Sequence, residues 1–198
     1  GISDFNPEDI ESLSILTGPA AAALYGSSAA NGVILINTKK GQEGKLKISI
    51  SNNTEFMTPY VMPEFQNRYG TGNLSTGATT GDLSWGHLLN NSNYMGYDPA
   101  SDFLRTGVVT TESVALSAGT DKNQTYFSSS VVNSKGMVPN NDYNRYNFTF
   151  RNTTSFLKDK MILDVSASYI KQNDKNMVNQ GTYSNPLVTA YLFPRGND

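Results

Sequence analysis

The chain has no cysteine and a single histidine, His87. Without cysteine, disulfide frameworks and thiolate metal sites are excluded. With one histidine, a zinc or iron site would have to be built from carboxylates, and no metal-loop spacing is present. Charged residues make up only 16% of the 198, and the formal net charge is −2. No Lys/Arg cluster offsets that balance, so the charge does not favour a nucleic-acid partner held through phosphate contacts, and none is expected. No run of about 18 apolar residues occurs, so the sequence carries no membrane-spanning helix. No charged-then-apolar leader opens it either. It begins at "GISDFNPEDIESL" and stops at "YLFPRGND", which reads as part of a longer chain. The serines and threonines have no base near them in sequence, so nucleophilic catalysis has no support. No enzyme activity, cofactor or metal is expected.

What is abundant is Asn, Ser, Thr, Gly and Tyr, with aromatics at 11%. That aromatic content separates the chain from disordered sequences. Two regions differ in character. Residues 1–41 combine short apolar runs with small residues; residues 42–198 alternate polar and apolar over strand-length segments. The predicted domains follow this division.

In the first region Asp9–Leu16 reads as a strand, broken by Gly18-Pro19, with Pro19 suited to the first position of a helix. "AAAALYG" reads as one or two helical turns stopped at Gly26. Asn31-Gly32 is a turn signal. "VILINT" is a continuous apolar run, as expected of a strand covered on both faces. From Gly18 to Gly32 the only large residues are Leu24 and Tyr25.

The second region has a period of two. In "KLKISISNNTEF", Leu46, Ile48, Ile50 and Phe56 alternate with polar residues including Lys47. In "RYNFTFRNTTSF", Tyr146, Phe148, Phe150 and Phe156 oppose Arg145, Asn147, Thr149, Arg151, Thr153 and Ser155. In "MILDVSASYI", Met161, Leu163, Val165, Ala167 and Tyr169 oppose Asp164, Ser166 and Ser168, although Ile162 and Ile170 blur the polar face. "TYFSSSVVNS" alternates poorly and its facing is undecided. Short polar turns, at 120–124 and 157–160, alternate with long connections, one from Phe56 to Glu112 and one from about Asn173. This is the pattern of an outer-membrane barrel. A soluble antiparallel sheet with one wet face has the same period.

The stretch "IESLSILTGPAAAALYGSSAANGVILINTKKG" (Ile10–Gly41) resembles the end of the plug domain in TonB-dependent outer-membrane transporters. Its "AAALYGSSAANGVILINTKKG" is similar to the SusC/RagA branch. Asp102–Phe148, with its "TG…SAG…Y…KG…PNN…YNR" order, is similar to that family's first barrel hairpins. The resemblance implies a mainly β fold. Residues 1–41 would be the C-terminal part of an α+β plug. Residues 42–198 would be the first strands and external loops of a transmembrane antiparallel β-barrel of roughly 22 strands.

On that reading Gly18, Pro19, Leu24, Tyr25, Gly26, Asn31 and Gly32 form a structural plug motif. Small residues there let backbone approach backbone, and Leu24 and Tyr25 serve as anchors. Lys47, Arg145, Arg151 and Asp164 point into the lumen, because charges facing lipid at mid-membrane cost about 2–4 kcal/mol each. In the long loop Trp85, Tyr94 and Tyr97 are candidate contacts for a ligand or partner. The implied function is TonB-dependent import of a glycan or oligopeptide across the outer membrane of a Gram-negative bacterium. A SusD-like surface lipoprotein and TonB are the implied protein partners, TonB reaching a segment outside this sequence, and outer-membrane lipid surrounds the barrel. The alternatives are a siderophore- or cobalamin-type receptor and a soluble β-rich binding or adhesion module.

Overall fold

The computed structural model describes residues 5–81, 83–90, 96–193 and 195, apart from the side chain of Ala20. Its contacts fall into two compact units that cut across chain order. One contains residues 1–53, 111–132 and 145–172; the other contains 54–110, 133–144 and 173–198.

The first unit opens with a 3-10 turn at Pro7–Asp9, whose Asn6 side chain accepts a hydrogen bond from the Glu8 backbone N–H at 3.3 Å. Strand β1 (Ile10–Leu16) therefore begins one residue later than expected, because Asp9 belongs to that capped turn. β1 pairs antiparallel with β2 (Val33–Thr38), from Leu16↔Val33 at the closed end to Ile10↔Thr38 at the open end. Helix α1 (Pro19–Tyr25) has Pro19 in its first turn, between Gly18 at φ +62° and Gly26 at φ +82°. Both glycines hold left-handed conformations that a β-carbon disfavours. Within the described residues Ile34 and Asn37 of β2 are exposed, Ile34 at 52%. Among the described residues its sheet has two strands, with β1 flanking β2 along one edge.

Five long strands make a second sheet: β3 (Gly44–Met57), β6 (Gly107–Gly119), β7 (Asn123–Lys135), β8 (Asp142–Phe156) and β9 (Met161–Lys175), hydrogen-bonded in that order. The short turns after Gly119 and Phe156 make those neighbours antiparallel. Thr120 shapes the first turn: its hydroxyl oxygen accepts from the N–H groups of Lys122 and Asn123. At about 3.3 Å per residue, strands of 13–15 residues tilted by 45° rise roughly 30–35 Å, enough to cross a hydrocarbon core.

The faces of β8 are inverted relative to a soluble protein. Phe148, Phe150 and Phe156 are each 43% exposed, while Asn147 on the other face is 4% exposed. On β7 the covered side chains are Tyr126, Ser128, Ser130 and Val132, which settles a facing that the sequence left undecided.

The second unit is loop-rich. Gln66 organises it: its side-chain amide donates to the carbonyls of Tyr69 and Ser84 and accepts from the N–H groups of Arg68 and Tyr69. Two short parallel strands, β4 (Gly72–Asn73) and β5 (Ser84–Trp85), lie beside it. A π-helical turn at Pro99–Phe103 is capped twice, by Asp98 accepting from Ala100 N–H and by Asp102 accepting from Asp98 N–H. The tail, expected as a loop, contains helix α2 (Pro186–Leu192), whose cap Asn185 accepts from Leu187 N–H at 3.0 Å.

Candidate functional site

The chemistry of the first unit concentrates where the β1–β2 hairpin meets the long sheet. A period of two puts Thr149 and Arg151 on the same face of β8. The Ile10↔Thr38 pairing, with Lys39 N–H donating to the Asp9 carbonyl at 2.8 Å, sets Asp9 beside Thr38 at the hairpin's open end. The two pairs of residues then meet. The Asp9 side chain, 3% exposed, accepts the Tyr126 hydroxyl on Oδ1 at 2.9 Å and the Thr149 hydroxyl on Oδ2 at 3.0 Å. Two residues further along β8, Arg151 donates through Nη1 to the Thr38 carbonyl at 3.1 Å and the Thr38 hydroxyl at 3.0 Å. Its Nε and Nη2 grip both oxygens of Asp164 on β9, at 2.9 and 2.7 Å. Lys40 Nζ adds a looser contact with Asp164 at 3.8 Å. A planar guanidinium is suited to this double task, since its donors point along fixed, divergent directions.

The chain leaving the hairpin is also held. Gln42 N–H donates to Ser117 Oγ at 3.0 Å. Gly41 is buried, and a β-carbon there would sit 2.6 Å from Gln124 C and 2.7 Å from Thr125 C on β7. Next to these contacts lies a cleft of about 360 Å³. Its walls carry charges of both signs, among them Glu8, Glu11, Lys39 and Lys47, with the hydroxyls of Ser113 and Ser117. Such a lining holds water and polar solutes rather than an apolar ligand.

Of the charges expected in the lumen, Arg151 and Asp164 are brought together, Lys47 lines the cleft, and Arg145 lies half-buried on β8, an even number of residues from Arg151. Within the described residues Leu24 is 70% exposed and Tyr25 48%. The helix residue that is fully buried is Ala21; a methyl group permits the close approach that a large side chain would prevent. Asn31 is exposed in the turn that Gly32 closes, with Gly32 N–H donating to the Ala29 carbonyl at 2.9 Å. Gly32 sits at φ +106°, and a β-carbon there would lie 3.0 Å from the Leu16 carbonyl oxygen. Gly32→Trp is accordingly expected to open the β1–β2 junction, read as faster proteolytic cleavage between residues 26 and 33; a native cleavage pattern would show the turn to be tolerant.

In the second unit, Trp85 is 61% exposed. Tyr97 is half-buried and committed to packing: its ring lies 4.7 Å from Phe193, and its hydroxyl donates to the Ala190 carbonyl at 3.3 Å. Burial raises the pKa of that hydroxyl above the ordinary tyrosine value, with Arg195 acting in the opposite direction, so it remains a donor. Arg195, 4% exposed, stacks 4.3 Å from Phe65 and donates to the Tyr97 carbonyl at 3.0 Å. Tyr94 lies outside the described residues. Among the described residues, no group of three His, Asp or Glu side chains could hold a metal ion, and His87 is exposed.

The profile of the TonB-dependent receptor plug domain family matches residues 1–33. The chain is 30% identical over 179 residues to the TonB-dependent receptor SusC of Bacteroides thetaiotaomicron, an alignment covering 89% of this chain and 17% of that protein. It is 31% identical over 147 residues to the TonB-dependent receptor P39 of Formosa agariphila, covering 73% of this chain and 14% of that protein. The chain belongs to the SusC/RagA-type TonB-dependent receptors. A chain in the structure of the RagAB peptide importer in its "closed-closed" state superposes with a TM-score of 0.65 at 19% identity, over 87% of this chain and 23% of that one. At that identity the match speaks for the fold.

The chain thus spans less than a quarter of the length of each of these relatives. Within such a receptor the first unit has a clear reading. The plug match ends at Val33, where β2 begins, and the five-stranded sheet is barrel wall. Asp9, inside the plug match, is then held by Tyr126 and Thr149 of the wall. Sequence reasoning missed Asp9, Thr38, Gly41, Tyr126 and Thr149. The retrievable signal was Thr149, which shares the polar face of Arg151.

Proposed function

We propose that the receptor containing this chain imports a nutrient, a glycan or an oligopeptide, across the outer membrane of a Gram-negative bacterium, driven by TonB. A SusD-like surface lipoprotein completes the binding site, and the solute passes chemically unchanged. The observation that carries this reading is the combination in the first unit: a wall with phenylalanines on its uncovered face, and a hairpin bound to the opposite, polar face by hydrogen bonds. Apolar side chains turned outward suit lipid, and a polar inner surface suits a wet lumen. A plug that must move is better held by hydrogen bonds, which water can replace, than by a large apolar contact.

Two comparisons support the choice within the family. The SusC match covers 89% of the chain, which favours the lipoprotein-dependent branch over a siderophore- or cobalamin-type receptor. The structural relative is a peptide importer, which keeps an oligopeptide beside a glycan as the solute. A soluble binding module would need the phenylalanine face of β8 covered. The test is uptake by cells producing the full receptor, with and without TonB, together with purification in detergent. Loss of uptake without TonB and a lipoprotein recovered in about equal molar amount are the expected results. Uptake independent of TonB would overturn the reading.

A further inference from the structure

We propose that strand β8 clamps the open end of the β1–β2 hairpin, and that the hairpin opens from that end by peeling β1 away from β2. The inference rests on the TonB-driven reading given above, and it names the side chains that set how easily the plug yields.

The way the hairpin is tethered sets how it can open. Its two free ends lie side by side at Ile10↔Thr38. One end leads back into the Pro7–Asp9 turn. The other leads through Gly41 and Gln42 into wall strand β3, and is fixed there by Gln42 N–H on Ser117 Oγ and by the packing of Gly41 on Gln124 and Thr125. Tension drawn through the Pro7–Asp9 side against that fixed end pulls the two strands apart at one end. Hydrogen bonds between antiparallel strands lie perpendicular to the strands. Such a pull therefore loads them one after another instead of all together, and the pair resists weakly.

The clamp sits where that load enters. Thr149 and Tyr126 hold Asp9, the last residue before β1, and Arg151 holds Thr38, the last residue of β2. Lys39 N–H bonded to the Asp9 carbonyl closes the gap between them at 2.8 Å. No ladder bond can fail in sequence until these have been released. Tyr126 also lines the charged cleft, together with Glu8, Glu11 and Lys39. Movement of Asp9 and the turn before it would widen this cleft along the wall. Tyr126, Thr149 and Arg151 are positioning residues: they act on the plug and need not touch the solute.

A reversible staple tests the peeling step. Asn37 Nδ2 donates to Ser12 Oγ at 2.9 Å across the hairpin, so Ser12→Cys with Asn37→Cys places two thiols face to face near the open end. In the full receptor, oxidation of this pair is expected to abolish TonB-dependent uptake at unchanged surface level, and reductant to restore it. An oxidised receptor that imports like its parent overturns the peeling. Failure of the pair to cross-link overturns it as well, since the register on which it depends would be wrong.

A second variant tests the clamp. Thr149→Val removes one donor to Asp9 while keeping the side-chain shape. With a Ser113→Cys reporter in the cleft, maleimide labelling in energised cells is expected to run several-fold faster than in the same reporter with Thr149 intact. Equal labelling rates overturn the clamp. If instead the parent receptor imports without TonB, the functional reading itself fails, and that outcome is separate from both.

Discussion

Gly41→Val in the full receptor should leave the barrel at the cell surface and yet unseat the plug from it. Gly41 carries no unusual backbone angle, so valine meets no conformational penalty there; what it lacks is space. The added β-carbon would strike the Thr125 amide nitrogen and lie 2.6 Å from Gln124 C and 2.7 Å from Thr125 C. These are backbone atoms of a hydrogen-bonded strand and cannot swing aside as a side chain tip could. Overpacking costs about 1–3 kcal/mol where side chains can adjust, and backbone against backbone belongs at the upper end. About 3 kcal/mol shifts the seated-to-unseated ratio by roughly 100-fold. The expected signs are loss of TonB-dependent uptake and a new leak, read as sensitivity to a large antibiotic that the native outer membrane excludes. Gly44→Ala is the control: Gly44 sits at φ +133° with nothing within 4 Å of its β-carbon position, so it suffers backbone strain without a clash at the wall. A Gly41→Val receptor that imports normally and does not leak would mean that the segment leaving the hairpin does not lie against β7.

How much of this was legible in the sequence depended on where each signal resides. The facing of β8 was readable because its two faces differ sharply, three phenylalanines against Arg, Asn and Thr. β7 was not, because Ser129 and Thr125 on one face are as polar as Ser128 and Ser130 on the other; which side is covered is decided by what packs against it. In the small-residue stretch the sequence drew attention to Leu24 and Tyr25 by size, whereas the side chain fully buried among the described residues is Ala21, where a methyl group fits. Asp9 could not be found at all. Its partners stand 117 and 140 residues away, and nothing in "NPED" distinguishes a buried acceptor from a solvated acid. Helix α2 was the reverse case: Asn185-Pro186 is an ordinary helix-start signal, overlooked inside a segment read as loop.

Phe150→Arg is expected to abolish assembly of the receptor in the outer membrane, and Phe156→Arg to be tolerated. The two residues lie on the same face of β8, each 43% exposed. They differ in position along the strand. Phe150 is near the middle of Asp142–Phe156, and Phe156 is its last residue. In a protein whose face is wetted by water, arginine would be equally harmless at both. In a barrel, depth decides: a cationic side chain on the lipid face costs about 2–4 kcal/mol at the midplane and about 0–1 kcal/mol near the interface, where a long side chain can reach the headgroups. The first range corresponds to roughly a 30- to 1000-fold loss in the inserted population, and the second to less than about tenfold. The measurement is the amount of folded receptor in purified outer membranes, set against total receptor, for both variants and their parent. A steep fall at Phe150 with near-native levels at Phe156 places the face of β8 in hydrocarbon. Equal accumulation of the two would mean that these phenylalanines face water or another protein surface, and the wall assignment, along with the clamp built upon it, would fall.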